Sequence, residues 1–171
     1  LTAQAAPLPA VVAQEAGQSG YSIDPEEITV ESLELPAVTV KAGKFKMALG
    51  RHNQLHTHAF PFIDAPLINQ NLLGDEGLNE SGVSAALLLP LSWYSEIIIQ
   101  GFSLANESLF QSRAAGETGG LLHLKNLWDL SEDLTVELGA SGAQGRNQYD
   151  GSTSVFAGDL TINAKRNNLR H

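Results

Sequence analysis

The sequence predicts an all-β fold, an antiparallel meander that belongs to a transmembrane outer-membrane β-barrel. Three observations support this: apolar and polar residues alternate with period two through the C-terminal half, the alternating segments are about ten residues long, and a short polar turn is followed by a longer loop. Successive side chains of a strand point to opposite faces, and a tilted strand of ~9–11 residues crosses a bilayer. Short turns at one side and longer loops at the other are typical of such barrels.

Composition excludes several classes of protein. The chain has 171 residues, 10 Lys and Arg, 19 Asp and Glu and no Cys, with a net charge of −9. The acidic balance excludes sequence-independent nucleic-acid binding, and the absence of Cys excludes a disulfide framework and thiolate metal sites. No apolar run approaches the ~18 residues of a transmembrane helix. We interpret 1–26 as a low-complexity segment and 27–171 as a β-barrel domain or partial barrel, a piece of a longer protein.

The clearest strands lie between residues 120 and 164. In the middle strand, Leu134, Val136 and Leu138 take one face while Thr135 and Glu137 take the other. In a barrel, the apolar face would contact lipid and the polar face would line a wet lumen. The residues predicted to face the lumen are His123, Lys125, Glu137, Asp159 and Lys165. A soluble β-sandwich would give the same alternation with its apolar face turned inward, and periodicity alone does not separate the two.

Two connections follow from this pattern. Ser131 to Asp133 is predicted to be a tight periplasmic turn, and Gln144 to Ser152 a longer extracellular loop. The N-terminal half adds less regular strands, for a total of about seven, or eight if a small barrel closes. Within 38–49 the apolar residues change from even to odd positions at Gly43, where a β-bulge would exchange the faces.

The connection 51–80 is the most informative segment. It has thirty residues without strand alternation, and loops of this length are usually functional or disordered. Its aromatic and aliphatic content predicts order. Asp64 as N-cap and Gly74 as terminator predict a short helix. In a barrel, the segment would fold into the lumen and narrow it.

Three of the five histidines, His52, His56 and His58, fall within seven residues of this connection. Imidazole is a common ligand of zinc and other divalent metals, and Asp64 could supply an oxygen. The spacing matches no closed structural zinc site and there is no HExxH pattern. A solvated or hydrogen-bonded loop cluster remains the alternative.

No catalytic residues are expected. The sequence contains no GxSxG, no GxxxxGK[ST] and no GxGxxG pattern, and nothing orients the carboxylates near Glu76 and Glu80 as a catalytic pair. We therefore do not expect an enzyme.

Two short segments resemble a known family. Gly43-Lys44-Phe45, followed by Gly50-Arg51-His52-Asn53, is similar to a hairpin segment of bacterial outer-membrane porin-like proteins. Residues 50–96 most specifically resemble a group of uncharacterised porin-like barrels of Gram-negative bacteria, sometimes labelled zinc-regulated or TonB-dependent receptors. The resemblance implies an antiparallel barrel that passes small solutes and has no catalytic residues.

These inferences converge on one expected function. The chain is expected to be a porin-like channel for small solutes or ions, or a fragment of one, in the cell outer membrane. Its expected partners are outer-membrane lipid and the transported solutes or ions, and a second copy of the chain is compatible with the sequence. The alternative is a soluble or periplasmic β-sheet protein that binds a divalent metal through His52, His56 and His58.

Overall fold

The computed structural model of the chain describes residues 27–32, 35–60, 63–74, 76–106, 109–111 and 116–165. The predicted low-complexity segment 1–26 lies outside the described residues. Among the helices of the described part, none is both long and apolar enough to cross a membrane.

The described residues form nine strands, two short α-helices and one 3-10 turn. The strands are β1 Ile28–Ser32, β2 Val38–Lys46, β3 Asn79–Leu88, β4 Tyr94–Ser103, β5 Ala105–Asn106, β6 Phe110–Gln111, β7 Thr118–Ser131, β8 Leu134–Arg146 and β9 Ser152–Ala164. The helices are α1 Gly50–Asn53 and α2 Leu67–Leu73, with the 3-10 turn Thr57–Ala59 between them.

The predicted all-β antiparallel meander is confirmed. Seven strands form one sheet in the order β1-β2-β3-β4-β7-β8-β9, and every neighbouring pair is antiparallel. The small hairpin β5-β6 lies in the connection between β4 and β7. Because each strand pairs with the next long strand in the chain, the period-two pattern was sufficient to predict this topology.

Three local predictions need correction. The loop predicted over Gln144 to Ser152 is shorter, because Arg146 still pairs with Ser152 and the connection covers only 147–151. Polar side chains misled the prediction, since strand pairing depends on backbone groups. The helix α2 begins at Leu67 with Pro66 as its N-cap residue, and the exposed Asp64 lies two residues before it.

The bulge predicted at Gly43 is also wrong. The register between β2 and β3 runs without interruption through Gly43 opposite Gly82 and Phe45 opposite Glu80. The odd-numbered residues from Phe45 onward are apolar because they enter the hydrophobic core, while Val38 and Val40 remain on the opposite face. The change of the apolar residues from even to odd positions therefore marks where the chain enters the core. The two faces of the strand are not exchanged.

The two faces of the sheet have different surroundings. One, here called the covered face, carries the row Gln100, Leu121, Ala143 and Val155 and lies against the residues that follow β2. The other, here called the exposed face, carries the neighbouring row Ile99, Leu122, Gly142 and Phe156.

The hydrophobic core lies on the covered face, at the end of the sheet where the longer connections are. Its buried side chains come from the sheet, from the hairpin β5-β6 and from the connection between β2 and β3. Phe102 and Phe110 pack there with ring centroids 5.6 Å apart. The core residues are Phe45, Met47, Ala48, Leu49, Leu73, Leu78, Phe102, Leu104, Phe110, Leu121 and Ala143.

Candidate functional site

The candidate site is the polar part of the covered face together with α1, which docks on it. Helix α1 contacts β8 and β9. Its first backbone amide, that of Gly50, donates to the Ser141 Oγ at 2.8 Å. The Arg51 amide donates to Asp159 Oδ2 at 3.2 Å. Backbone donors at the start of α1, which have no partner inside the helix, are thereby satisfied by side chains of the sheet.

Arg51 adds a charged contact to this docking. Its guanidinium lies 2.5 Å from Glu137 Oε1, and Lys125 Nζ lies 3.7 Å from Glu137 Oε2. The side chain of Glu137 is only 9% exposed, whereas that of Arg51 is 41% exposed. A nearly buried carboxylate therefore lies between two cations, one from the sheet and one from the docked helix, which compensates the loss of its hydration.

Gly139 makes room for Asp159. The two residues are directly opposite each other on β8 and β9, and a Cβ at Gly139 would overlap the Asp159 carboxylate. Glycine at this position thus lets the carboxylate lie flat on the covered face, where it accepts the Arg51 amide.

A second anchor lies across the sheet at β4. Gln100 is buried, its Oε1 accepts from the Ala48 amide at 2.8 Å, and its Nε2 donates to Ser84 Oγ at 3.1 Å. The chain leaving β2 is therefore tied to β4 before it reaches β8 and β9. The segment crosses the covered face with its backbone groups satisfied at both positions.

His123 is the most buried ionisable group of the covered face. It is 2% exposed, it lies opposite Ser141 in the register, and its Nδ1 has no hydrogen-bond partner among the described residues. The first amide of α1 donates to Ser141, so α1 is bonded to the residue that lies opposite His123.

The residues predicted from the alternation are placed as follows. His123, Lys125, Glu137 and Asp159 share the covered face, and Glu137 and Lys125 are brought together. Lys165 lies just after β9, exposed, with its amide bonded to the Asp133 carbonyl oxygen at the neighbouring turn.

The histidines predicted as metal ligands are divided between two environments. The rings of His56 and His58 are stacked with centroids 5.6 Å apart, whereas the ring of His52 packs on Phe60 at 4.4 Å. Asp64 is exposed. Within the described ranges, no group of three or more His, Asp or Glu side chains is arranged to hold a metal ion. Partial burial, and secondarily the nearby Lys46, lower the pKa of His52, which favours its neutral form.

Sequence reasoning missed Arg51, Ser141 and Gln100 as site residues. One signal was present. Arg51 is the only Lys or Arg in 51–80, and the predicted polar face of the C-terminal strands carries the carboxylates Glu137 and Asp159. Serine and glutamine carried no such signal, because their role depends on which backbone amide the fold brings to them.

Comparisons with known proteins identify a relative that is itself uncharacterised. The chain is 31% identical over 147 aligned residues to an uncharacterised protein of Aquifex aeolicus (strain VF5), an alignment that covers 71% of this chain. The chain spans 31% of the length of that relative. No family model matches the sequence, and no solved structure matches it.

Proposed function

We propose that this chain forms part of the wall of an outer-membrane β-barrel channel for small solutes or ions, with the segment 51–80 folded into its lumen. The observation that carries the proposal is the distribution of residues on the sheet. Its exposed face is apolar in the middle of the strands, while the covered face carries the charged and polar side chains on which α1 docks, beside the hydrophobic core. A sheet in water would have polar side chains on its exposed face.

The exposed face is apolar over the middle of its strands. Leu122, Leu138 and Leu160 are 55%, 47% and 61% exposed, and Phe156 is 83% exposed. Fully burying a side chain of this size contributes about 1.5–3 kcal/mol, so leaving so many in water would forfeit a large part of the stability of a small domain. Hydrocarbon in contact with this face removes that cost. The further exposed members are Val30, Val40, Val83, Leu87, Ile99, Leu124 and Ile162.

The two ends of the sheet also differ as a membrane barrel requires. The β7–β8 turn contains two residues, and the β1–β2 and β3–β4 turns lie at the same end. The longer connections 47–78 and 104–117 lie at the other end, with 147–151. At the short-turn end, Trp93 donates its indole N–H to Asn126 Oδ1 at 3.0 Å. Its ring centroid lies 6.4 Å from that of Trp128. Tryptophan pairs at one level suit the membrane–water interface.

Strand length supports the same conclusion. Strands β3 and β4 have 10 residues each, and β7, β8 and β9 have 14, 13 and 13. About 9–11 tilted residues span the hydrocarbon core, so β3 and β4 match this length and β7, β8 and β9 exceed it.

The position of the docked segment supports assigning the covered face to the lumen. Irregular backbone does not survive in hydrocarbon, because its unpaired amides and carbonyls have no partners there. The face that carries 47–78 must therefore point away from lipid. Charges of that face, Arg51, Lys125, Glu137 and Asp159, would border the solute path and bias the passage of ions.

Site-specific labelling of single cysteines tests the proposal. The chain contains no Cys, so each label reports only the residue introduced. With the full-length protein in vesicles, Leu160→Cys should react with a membrane-soluble bimane and give the blue-shifted emission of a hydrocarbon environment. Thr161→Cys, one residue along β9 on the covered face, should react with a charged sulfonate reagent. If both positions gave the same aqueous labelling, the membrane assignment would be wrong.

A further inference from the structure

The exposed face contains a groove whose polarity changes along its length. It has a volume of about 960 Å³ and lies over β4, β7, β8 and β9. Gly120, Ala140 and Gly142 line it and add no bulky side chain; the space above Gly120 is open, and the Phe156 ring lies over Gly142. Phe156 on one side and Leu122 on the other form its walls.

The register gives the direction of the change in polarity. Near the middle of the strands, Leu124 lies opposite Ala140, and Leu122 lies opposite Gly142. Towards the long connections, Gln144 lies opposite Ser154, and Arg146 lies opposite Ser152. From Ala140 to Arg146 a strand advances about 20 Å. Half of the hydrocarbon core is about 15 Å thick, so the apolar part fits one leaflet and the polar end reaches the headgroup region.

The polar end has donors suited to an anion. Arg146 is exposed, its Nε faces Glu117 Oε1 at 3.5 Å and its Nη1 donates to the Asp150 carbonyl oxygen at 3.3 Å. A guanidinium has five N–H donors, and an exposed pair with a carboxylate is weak, so Arg146 can still bind a phosphate. The hydroxyl groups of Ser152 and Ser154 add donors beside it.

From this gradient we infer that the groove binds an anionic phospholipid, with one acyl chain between Leu122 and Phe156 and the phosphate at Arg146. The inference rests on the proposed function, since it needs the exposed face to meet lipid. The combination favours an amphiphile over a second copy of the chain, because an apolar protein surface would cover Gln144, the two serines and the remaining donors of Arg146 without offering them acceptors.

Native mass spectrometry of the full chain in detergent, titrated with dipalmitoyl-phosphatidylglycerol, tests the site. Gly120→Leu places a side chain in the groove at a position where an added Cβ meets no atom within 4 Å. Loss of contact with about two methylene groups should weaken binding about tenfold. The control is Ala85→Leu, which places the same side chain on the exposed face outside the groove and adds one carbon fewer, and it should bind like the parent protein.

The headgroup is tested with phosphatidylcholine of the same chains. The parent protein should prefer phosphatidylglycerol, and Arg146→Gln should abolish that preference. An independent readout is Ala140→Cys, whose alkylation by maleimide should slow when phosphatidylglycerol is bound. Equal affinity of Gly120→Leu and the parent protein, or no protection of Ala140→Cys, would overturn the site. A dimer that Gly120→Leu dissociates would assign the groove to a second copy. Because these measurements are made in detergent, they can fail while the labelling of Leu160→Cys in vesicles succeeds, so the two proposals are separable.

Discussion

The side chain of Asn53 pairs with both backbone groups of Leu78, 25 positions later in the chain. Its Oδ1 accepts from the Leu78 amide at 2.8 Å, and its Nδ2 donates to the Leu78 carbonyl oxygen at 3.0 Å. The same Nδ2 donates to the Met47 carbonyl oxygen at 2.7 Å. The Met47 amide in turn donates to the Leu78 carbonyl oxygen at 2.9 Å. One buried amide therefore joins the two ends of the connection between β2 and β3, so that the intervening residues leave and return at one point.

Replacing Asn53 should loosen this junction. Asn53→Ala leaves the buried Leu78 amide without its acceptor and removes one donor each from the Met47 and Leu78 carbonyl oxygens. We expect a loss of about 1–3 kcal/mol in the free energy of unfolding. Urea titration of the protein in lipid vesicles measures it. Gln54→Ala, at an exposed neighbouring position, is the control and should change little. Equal stability of both variants would show that the junction contributes nothing.

Arginine substitutions on β9 should separate the two faces. Leu160→Arg places a charge in hydrocarbon and should cost about 2–4 kcal/mol near the bilayer centre. Thr161→Arg lies on the covered face opposite Glu137 and should assemble normally. The yield of folded protein in vesicles is the measurement. In a soluble sheet Leu160, which is 61% exposed, would tolerate arginine, so equal yields would favour the soluble alternative.

The difference between the two ends of the sheet predicts the topology in cells. An epitope inserted at Tyr149, which is 78% exposed in the 147–151 connection, should be reached by antibody on intact cells. The matched insertion at Glu132, in the β7–β8 turn, should be reached only after permeabilisation. The reverse pattern would invert the topology that we assign.

The segment docked on the covered face should restrict the channel. Replacing 54–72 by a short Gly-Ser linker keeps Asn53, Leu73 and Leu78, and therefore the junction and the buried end of α2. The full-length variant should show a higher single-channel conductance in planar bilayers, because less of the lumen is filled. An assembled barrel with unchanged conductance would mean that this segment lies outside the solute path.

The histidine hypothesis makes a separate prediction. If His52, His56 and His58 bind a divalent metal, calorimetric titration with zinc should reveal a saturable site that His56→Ala weakens. Binding should also weaken below about pH 6, where imidazole becomes protonated. Gln54→Ala serves as the control within the same connection. A titration without heat, or one that His56→Ala leaves unchanged, would favour the solvated cluster.

The sequence by itself determined the antiparallel order of the long strands and, between residues 120 and 164, the face to which each residue belongs. Alternation with period two specifies which residues share a side, and the two-residue turn after Ser131 makes β7 and β8 antiparallel neighbours. It also predicted that apolar residues of the connection between β2 and β3 pack on a buried surface, which holds for Leu73 and Leu78, whereas Leu67, Ile68 and Leu72 are exposed.

Only the tertiary structure decided which face is covered and by what. Alternation shows that two faces differ, but the same pattern fits either face turned towards a core, because it contains no information on distant partners. Arg51 and Glu137 are 86 positions apart, and Gly50 and Ser141 are 91 apart. Such pairs form only after the chain leaving β2 folds back across β4, β8 and β9. Local sequence fixes the donors and acceptors, and long-range packing selects which of them meet.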